Sequence, residues 1–342
     1  MAIRPGFLES LGMITINKEF WKNKKVLITG FEGFLGSHLT KVILKTGAKV
    51  VGLDIKTCRK QTIFTPQDYK KITIFKGSVA NRKFVRGILA KQPINIIFHL
   101  AAEAIVSRSQ ENPLEAFESN ISGTWEVLEA ARLNKNILAV IVASSDKAYG
   151  SHKVLPYHED APLIANHPYD VSKSCADLIA KTYAHTYGLP VAVTRCGNIY
   201  GPGDFNFSRL IPDALRCVAL NKKLEIRSDG KFVRDYVYVD DIVSGYIQIA
   251  QEFKRRKLSG EAFNLSDEKP ITVIKLLNEL EKCAFGVKKL NYQIMNTAKY
   301  EIKKQYLASS KARKILGWKP ECSLEEGLKN TSRWYAQYFK QI

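Results

Sequence analysis

Short β-branched runs alternate with helical periodicities through the first half of the chain. Val26-Leu27-Ile28-Thr29 is a continuous apolar run of strand length, and residues 36–46 carry Leu39, Val42 and Ile43 on one helix face before stopping at Gly47. Residues 50–53 and 72–75 predict a second and a third strand. Residues 94–100 and 139–143 predict two more, each preceded by a helix-length segment. Strands that are apolar throughout, rather than alternating, are buried on both faces. The pattern therefore predicts an α/β fold, a doubly wound parallel sheet with helices on either side.

Near residue 196 the pattern changes. Residues 197–204 (GNIYGPGD) concentrate Gly and Pro and predict a loop. A helix over 211–219 and a strand over 224–226 follow. A strand over 237–239 and a helix over 242–250 predict a return to the sheet layer. Residues 273–282, 309–316 and 323–339 read as helices, the last opening on the capping pattern Ser323-Leu324-Glu325-Glu326. The predicted organisation is an N-terminal extension (1–20), a sheet domain (21–196 plus about 235–260) and a smaller α/β C-terminal substrate-binding lobe (about 197–234 plus 261–342). No repeat or low-complexity segment interrupts it.

Composition narrows the function classes. At 342 residues and 45% hydrophobic content the chain can bury a full core, which excludes wholesale disorder. No stretch approaches the roughly 18 uncharged apolar residues of a membrane span. The first 25 residues lack an apolar core followed by a small-residue cleavage site, so a cytoplasmic location is expected. The six cysteines are scattered singly, with no C-x-x-C pair and no metal-ligand spacing to histidine, so they are expected to be buried, reduced hydrophobes and no metal site is expected. The net charge is +19, but the basic residues are spread along the chain and their densest runs lack interleaved aromatics. No nucleic-acid partner is expected; steering of phosphorylated small substrates suits the charge.

Two clusters carry candidate chemistry. Gly30-Phe31-Glu32-Gly33-Phe34-Leu35-Gly36 follows the first strand and opens the first helix, with Asp54 closing the second strand. Such a turn lets backbone approach a pyrophosphate, and the later carboxylate accepts from an adenosine ribose and repels a 2′-phosphate, favouring NAD over NADP. Arg59 and Lys60 lie close enough to leave some NADP affinity. At the other cluster, Tyr169 and Lys173 stand four apart just after Pro168, on one face of a helix. A phenol acts as a base near neutrality only with help from nearby positive charge. Ser145-Asp146-Lys147 follows the fifth strand, where α/β sheets bind their ligands.

Together with His99-Leu100-Ala101-Ala102, Asn120–Thr124, Arg195–Asn198, Arg234-Asp235-Tyr236 and Leu316–Pro320, these clusters resemble the extended short-chain dehydrogenase/reductase family of nucleotide-sugar enzymes, from about Trp21 to the C-terminus. The resemblance implies a Rossmann domain with NAD held by Gly30, Gly33, Phe34, Leu35, Gly36, Asp54, Ser78, Val79, Leu100, Ala101, Ala102, Tyr169 and Lys173. It implies that Tyr169 is the base at a sugar 4-hydroxyl, that Lys173 lowers its pKa and holds the ribose, and that Ser145 orients the hydroxyl. Asn198, Arg209 and Arg234 would hold the nucleotide diphosphate of the substrate.

The pair Asp146-Lys147 selects among reactions. A 4-epimerase oxidises and reduces C4 only, whereas a 4,6-dehydratase also moves protons at C5 and C6. In many sugar 4,6-dehydratases of the family the pair reads Asp-Glu; the CDP-glucose branch is similar to this chain in having Asp-Lys, and in the stretches Trp21–Val26 and Gly203–Asp213. By that resemblance Asp146 is the acid at the C6 hydroxyl, and Lys147, as a neutral amine, takes part in removing the C5 proton. The chain departs from the family in Gly77-Ser78-Val79, where an Asp often recognises adenine. His99 reads as structural, Arg195 as a packing or ion-pair residue, and Glu103 and Arg108 as pocket neighbours without catalytic roles. Residues 206–216 and residues near Tyr306 are expected near the nucleobase. The expected activity is a nucleotide-sugar 4,6-dehydratase acting on CDP-glucose. A 4-epimerase, a 4-ketosugar reductase and a non-catalytic anion-binding module are the rivals. A homodimer formed through helices over 114–133 and 169–187 is expected.

Overall fold

The computed structural model describes residues 16–283, 290–298 and 301–340, so most of the N-terminal extension lies outside the described residues. Among them, seven strands form one parallel sheet in the spatial order Ala262–Leu265, Val191–Cys196, Ala139–Ala143, Ile96–His99, Lys25–Thr29, Lys49–Asp54, Ile72–Lys76. On one face, helices Phe34–Thr46, Val239–Glu252 and Ser310–Leu316 close a core around Ile28, Phe98, Ile141, Phe263 and Trp318. On the other, Arg82–Lys91, Gly123–Arg132 and Pro168–Tyr187 pack over Leu27, Val51, Ile97, Val140 and Val193. This is the doubly wound arrangement that the continuous apolar strands require.

Local chemistry sets the helix ends. Gly47 and Gly188 take left-handed φ values of 87° and 66° and terminate Phe34–Thr46 and Pro168–Tyr187. Pro168 opens the second of these, where its missing N–H costs nothing. The helix expected over 114–133 is Pro113–Phe117 and Gly123–Arg132 joined by a π-turn at Glu118–Ser122. Asn120 on that turn donates to Ser172 Oγ at 2.9 Å and accepts from the Glu103 N–H at 2.7 Å, tying helix Pro168–Tyr187 to the loop after the fourth strand.

Two placements differ from the expectation. Ala262–Leu265, assigned from sequence to the lobe, is the edge strand of the large sheet. Its apolar run is interrupted by Asn264, whose amide donates to the Tyr157 and Ala308 carbonyls and accepts from the Tyr149 hydroxyl. Ser310–Leu316 likewise packs on the sheet layer through Ala312 and Leu316. Conversely, Tyr236–Tyr238 does not join the large sheet; it pairs in parallel with Asn198–Tyr200, and only the helix after it returns to the sheet layer. The lobe core gathers Ile211, Leu215, Leu224, Leu276, Leu280, Leu328 and Trp334 from helices Leu210–Ala219, Val273–Cys283 and Leu324–Phe339. The cysteines are all free, but Cys58 is exposed and Cys175 and Cys322 only half-buried, which corrects the expectation that all are buried.

Candidate active site

The carboxyl ends of the parallel strands and the inner face of the lobe bound a cleft of about 1350 Å³. Its cofactor end is built from backbone. A Cβ on Gly36 would lie 2.0 Å from the Gly30 carbonyl oxygen, and one on Gly30 (φ +70°) 2.9 Å from the Ala101 backbone, so this turn closes only with glycine. Gly33 caps Phe34–Thr46 without a side-chain hydrogen bond, which turns the first helical N–H groups toward the cleft that Phe34, Leu35 and Gly36 line. Those donors and the positive end of the helix fit a pyrophosphate.

Ser78, Val79, Leu100, Ala101 and Ala102 border the same end. Thr29 Oγ1 accepts from the Leu100 and Ala101 N–H groups, both at 3.2 Å, and holds that wall in place. His99 lies buried between Thr29 Oγ1 (2.8 Å) and Thr124 Oγ1 (3.1 Å), and burial pushes its pKa down to about 3. It is a neutral structural histidine, as its apolar strand implies. Asp54 accepts from the backbone N–H groups of Lys56 and Glu32 and pairs with the Arg59 guanidinium at 2.9 Å. Glu32, inside the glycine turn, accepts from the Cys58 and Arg59 N–H groups at 2.6 and 2.9 Å. Two buried carboxylates thus face the adenosine end, and Arg59 is already engaged by one of them. Sequence reasoning missed Thr29 and Glu32; the acid inside a glycine turn was the available signal.

The sugar end carries the titratable groups. Ser145 caps the short helix Asp146–Tyr149: its Oγ accepts from the Lys147 N–H at 3.2 Å and donates to Asp146 Oδ1 at 2.9 Å. Asp146 is buried, its Oδ2 has no partner, and burial raises its pKa against the pull of Lys147 and Ser145. Lys173 donates from Nζ to the Ala143 carbonyl at 2.9 Å, and burial lowers its pKa to about 8. Burial pushes Tyr169 up to about 12, and Ser145 and Arg209, rather than Lys173, oppose it most.

On the lobe side, Asn198, Arg209 and Arg234 all border the cleft. Asn198 donates to the Asp235 carbonyl at 3.2 Å, and Arg209 pairs with Asp204 at 2.9 Å. Arg234 is clamped by the Val233, Ile302 and Lys303 carbonyls. Residues 206 and 208–213 border the cleft, as do Glu301 and Ile302, which lie near Tyr306 in the sequence. The Tyr306 carbonyl accepts from the Tyr157 N–H. Glu103 and Arg108 border the cleft and pair with each other at 3.4 Å. Arg195 is fully buried, bidentate on Asp177 at 2.7 and 2.9 Å and bonded to the Tyr149 hydroxyl. The structure also brings Asp170, inside the Tyr169–Lys173 spacer, to the cleft wall.

A glycine-turn dinucleotide cradle facing a Ser-Tyr-Lys group and a lobe lined with arginine defines an NAD-dependent enzyme of the nucleotide-sugar epimerase and dehydratase class. The model of the GDP-mannose 4,6 dehydratase family matches residues 27–331, and the chain belongs to that NAD-dependent family. The chain is 32% identical over 333 residues to UDP-glucuronate 4-epimerase of Thermodesulfobacterium geofontis, covering 92% of this chain and 97% of that one. It is 31% identical over 346 residues to CDP-glucose 4,6-dehydratase of Salmonella typhimurium, covering 95% and 94%. Among solved structures it is similar to DesIV, a dTDP-glucose 4,6-dehydratase of Streptomyces venezuelae with NAD and TYD bound, with TM-score 0.81, 27% identity, and 93% and 98% of the two chains covered. No helix among the described residues is long and apolar enough to cross a membrane.

Proposed function

We propose that the protein is a nucleotide-sugar 4,6-dehydratase that converts CDP-glucose to CDP-4-keto-6-deoxyglucose. The observation that carries this reading is Asp146. Oxidising a sugar at C4 and reducing it again needs a base, a positioned cation and an orienting hydroxyl, which Tyr169, Lys173 and Ser145 supply. A buried carboxyl with an unpaired oxygen at the same cleft, its pKa raised by burial, is chemistry beyond that need. It suits a donor to a departing C6 hydroxyl.

In this reading the helix N–H groups of Phe34, Leu35 and Gly36 hold the NAD pyrophosphate, Asp54 holds the adenosine ribose, and Lys173 holds the nicotinamide ribose. Glu32 and Asp54 disfavour a 2′-phosphate. When bound, NAD supplies the acceptor for the C4 hydride, the return of that hydride to C6, and a positive charge beside the phenol. Tyr169 takes the proton of the 4-hydroxyl, Ser145 orients that hydroxyl, and Asn198, Arg209 and Arg234 hold the diphosphate. The choice of cytosine rests on the Asp-Lys pair and on similarity to the Salmonella enzyme. The homodimer belongs to the same reading: Leu114, Trp125 and Leu178 are exposed on the helical segments expected to pair, and light scattering at twice the chain mass checks it.

A 4-epimerase is the second reading, favoured by the 32% identity to a UDP-glucuronate 4-epimerase. Incubation with CDP-, UDP-, dTDP- and GDP-glucose separately, without added reductant, decides between them. Loss of one water from CDP-glucose, with the alkaline absorbance of a 4-keto-6-deoxy sugar and no net reduction of cofactor, is the expected result. Unchanged mass with conversion of glucose to galactose stereochemistry overturns the dehydratase reading. Stoichiometric cofactor turnover points instead to a ketosugar reductase.

A further inference from the structure

The lobe meets the sheet domain at residues 201–204, and the residues on either side of Gly203 are fastened to different halves of the molecule. On the sheet side the fastening is His38, the fifth residue of helix Phe34–Thr46, whose N-terminus faces the cofactor end of the cleft. Its Nε2 lies 2.9 Å from the Pro202 carbonyl, 164 positions along the chain. A carbonyl can only accept, so Nε2 carries the proton of that bond. Its Nδ1 stands 3.5 Å from Asp240 Oδ1 near the start of Val239–Glu252, and its ring packs edge-on against Phe34 at 5.4 Å.

On the lobe side the fastening is Asp204. The Tyr335 hydroxyl on helix Leu324–Phe339 donates to its carbonyl, and its Oδ1 accepts from the Asn206 N–H at 3.0 Å. Its Oδ2 accepts from the Arg209 guanidinium at 2.9 Å. These bonds stay within the lobe, whereas the bond from His38 to Pro202 crosses to the sheet domain. Between the two, Gly203 takes φ +77°, and a Cβ there would lie 2.3 Å from the Ile63 side chain. Residues 201–204 are all buried, so this joint is tightly packed.

His38 is 3% exposed and stands outside the set of residues that border the cleft, while Gly203, Asp204 and Arg209 belong to it. A histidine buried between two elements is ordinarily packing. Here its bond begins a short path, Pro202-Gly203-Asp204 and then Arg209, that runs from the cofactor helix to a cation in the cleft.

We propose that His38 is a positioning residue for substrate binding. By fixing the Pro202 carbonyl to the cofactor helix, it sets where Asp204 presents Arg209 to a nucleoside diphosphate. This rests on the reading that Arg209 holds the diphosphate of the substrate. Guanidinium–phosphate recognition is directional, so an arginine carried on an unfastened joint binds more weakly although its charge is unchanged. Removing the donor also leaves a buried carbonyl unpaired, which drives the loop away from its place. Ser145, Tyr169 and Lys173 are set by the fifth strand and helix Pro168–Tyr187 rather than by this joint, so the loss falls on binding and not on the chemical step.

The test titrates the NAD-loaded, full-length enzyme calorimetrically with CDP, UDP, dTDP and GDP, which carry the diphosphate without the sugar. The result is then independent of which reaction follows. His38→Gln places an amide N–H near the Nε2 position and keeps the bond to Pro202. His38→Asn places it near the Nδ1 position and keeps only the Asp240 side. His38→Asn is expected to bind the tightest of the four diphosphates about tenfold more weakly, and to raise KM for the nucleotide sugar by a similar factor with kcat little changed. His38→Gln keeps the wild-type affinity, and both variants keep the NAD content of the wild type. The variant carrying both His38→Asn and Arg209→Gln binds no more weakly than Arg209→Gln alone, because His38 acts through that arginine.

Wild-type diphosphate affinity in His38→Asn overturns the proposal, as does an equal loss in His38→Gln or full additivity in the double variant. Loss of NAD together with a lowered unfolding temperature in His38→Asn also overturns it, since His38 is then a packing residue of the cofactor helix. Arg209→Gln with wild-type affinity, or a wild type that binds none of the four, removes the reading of Arg209 first, and the role of His38 with it.

Discussion

The two ends of the cleft are built on opposite electrostatic principles. At the cofactor end most of the contact surface is backbone, and the acidic groups have partners before any ligand arrives: Asp54 holds Arg59 and two N–H groups, Glu32 holds two more, and Thr29 clasps the Leu100–Ala101 wall. At the sugar end Asp146 and Asp170 are buried with unpaired oxygens, and burial pushes both toward their protonated forms. A cradle that must bind one cofactor in one pose gains from satisfied, stiff donors. A site that must move protons gains from groups whose ionised and neutral forms lie close in energy. The same low-dielectric interior serves both, and only the pairing of the carboxyls differs.

Substitutions at each end should break this contrast in different observables. The largest effect is expected at Asp146. Asp146→Asn should slow dehydration by about 10²–10⁴-fold while leaving C4 oxidation and folding intact, read as enzyme-bound reduced cofactor after substrate is added. Gly36→Ala should act on the other end through packing. Its methyl would meet the Gly30 carbonyl at 2.0 Å, so the turn must open. The expected result is a loss of about 1–3 kcal/mol in stability together with loss of copurifying NAD, by thermal unfolding and cofactor extraction.

A smaller effect should sharpen the comparison at Asp54. Asp54→Ala frees Arg59 and removes one of the two carboxylates at the ribose end. The ratio of NADP to NAD affinity should rise about tenfold, which is ~1.4 kcal/mol, with catalytic pH dependence unchanged. The smallest is a control in the lobe. Ser323 accepts from the Glu326 N–H and caps Leu324–Phe339 away from both ends. Ser323→Ala should cost about 1 kcal/mol of stability and leave kcat/KM as it was.

Much of this molecule can be read from its residues in order. Continuous apolar runs specify a parallel sheet because a strand buried on both faces has no polar side to show, and the helix stops at Gly47 and Gly188 are local steric facts. The glycine turn is legible for the same reason: backbone reaches a pyrophosphate only where side chains are absent. Ser145, Asp146, Tyr169 and Lys173 are singled out by residue type and spacing together with the family resemblance, and the fold brings all four to one cleft.

What sequence order could not show depends on neighbours far along the chain. Ala262–Leu265 is a sheet strand because Tyr149, Tyr157 and Ala308 satisfy its Asn264, and no local pattern announces partners so distant. Asp170 and Asp235 are both single acids beside a motif residue. Tertiary packing alone gives Asp235 partners on its second oxygen and brings Asp170 to the cleft wall. Whether a carboxyl is structural or chemical is decided by what surrounds it once the chain has folded, because burial and pairing, not residue type, set the free energy of its charge.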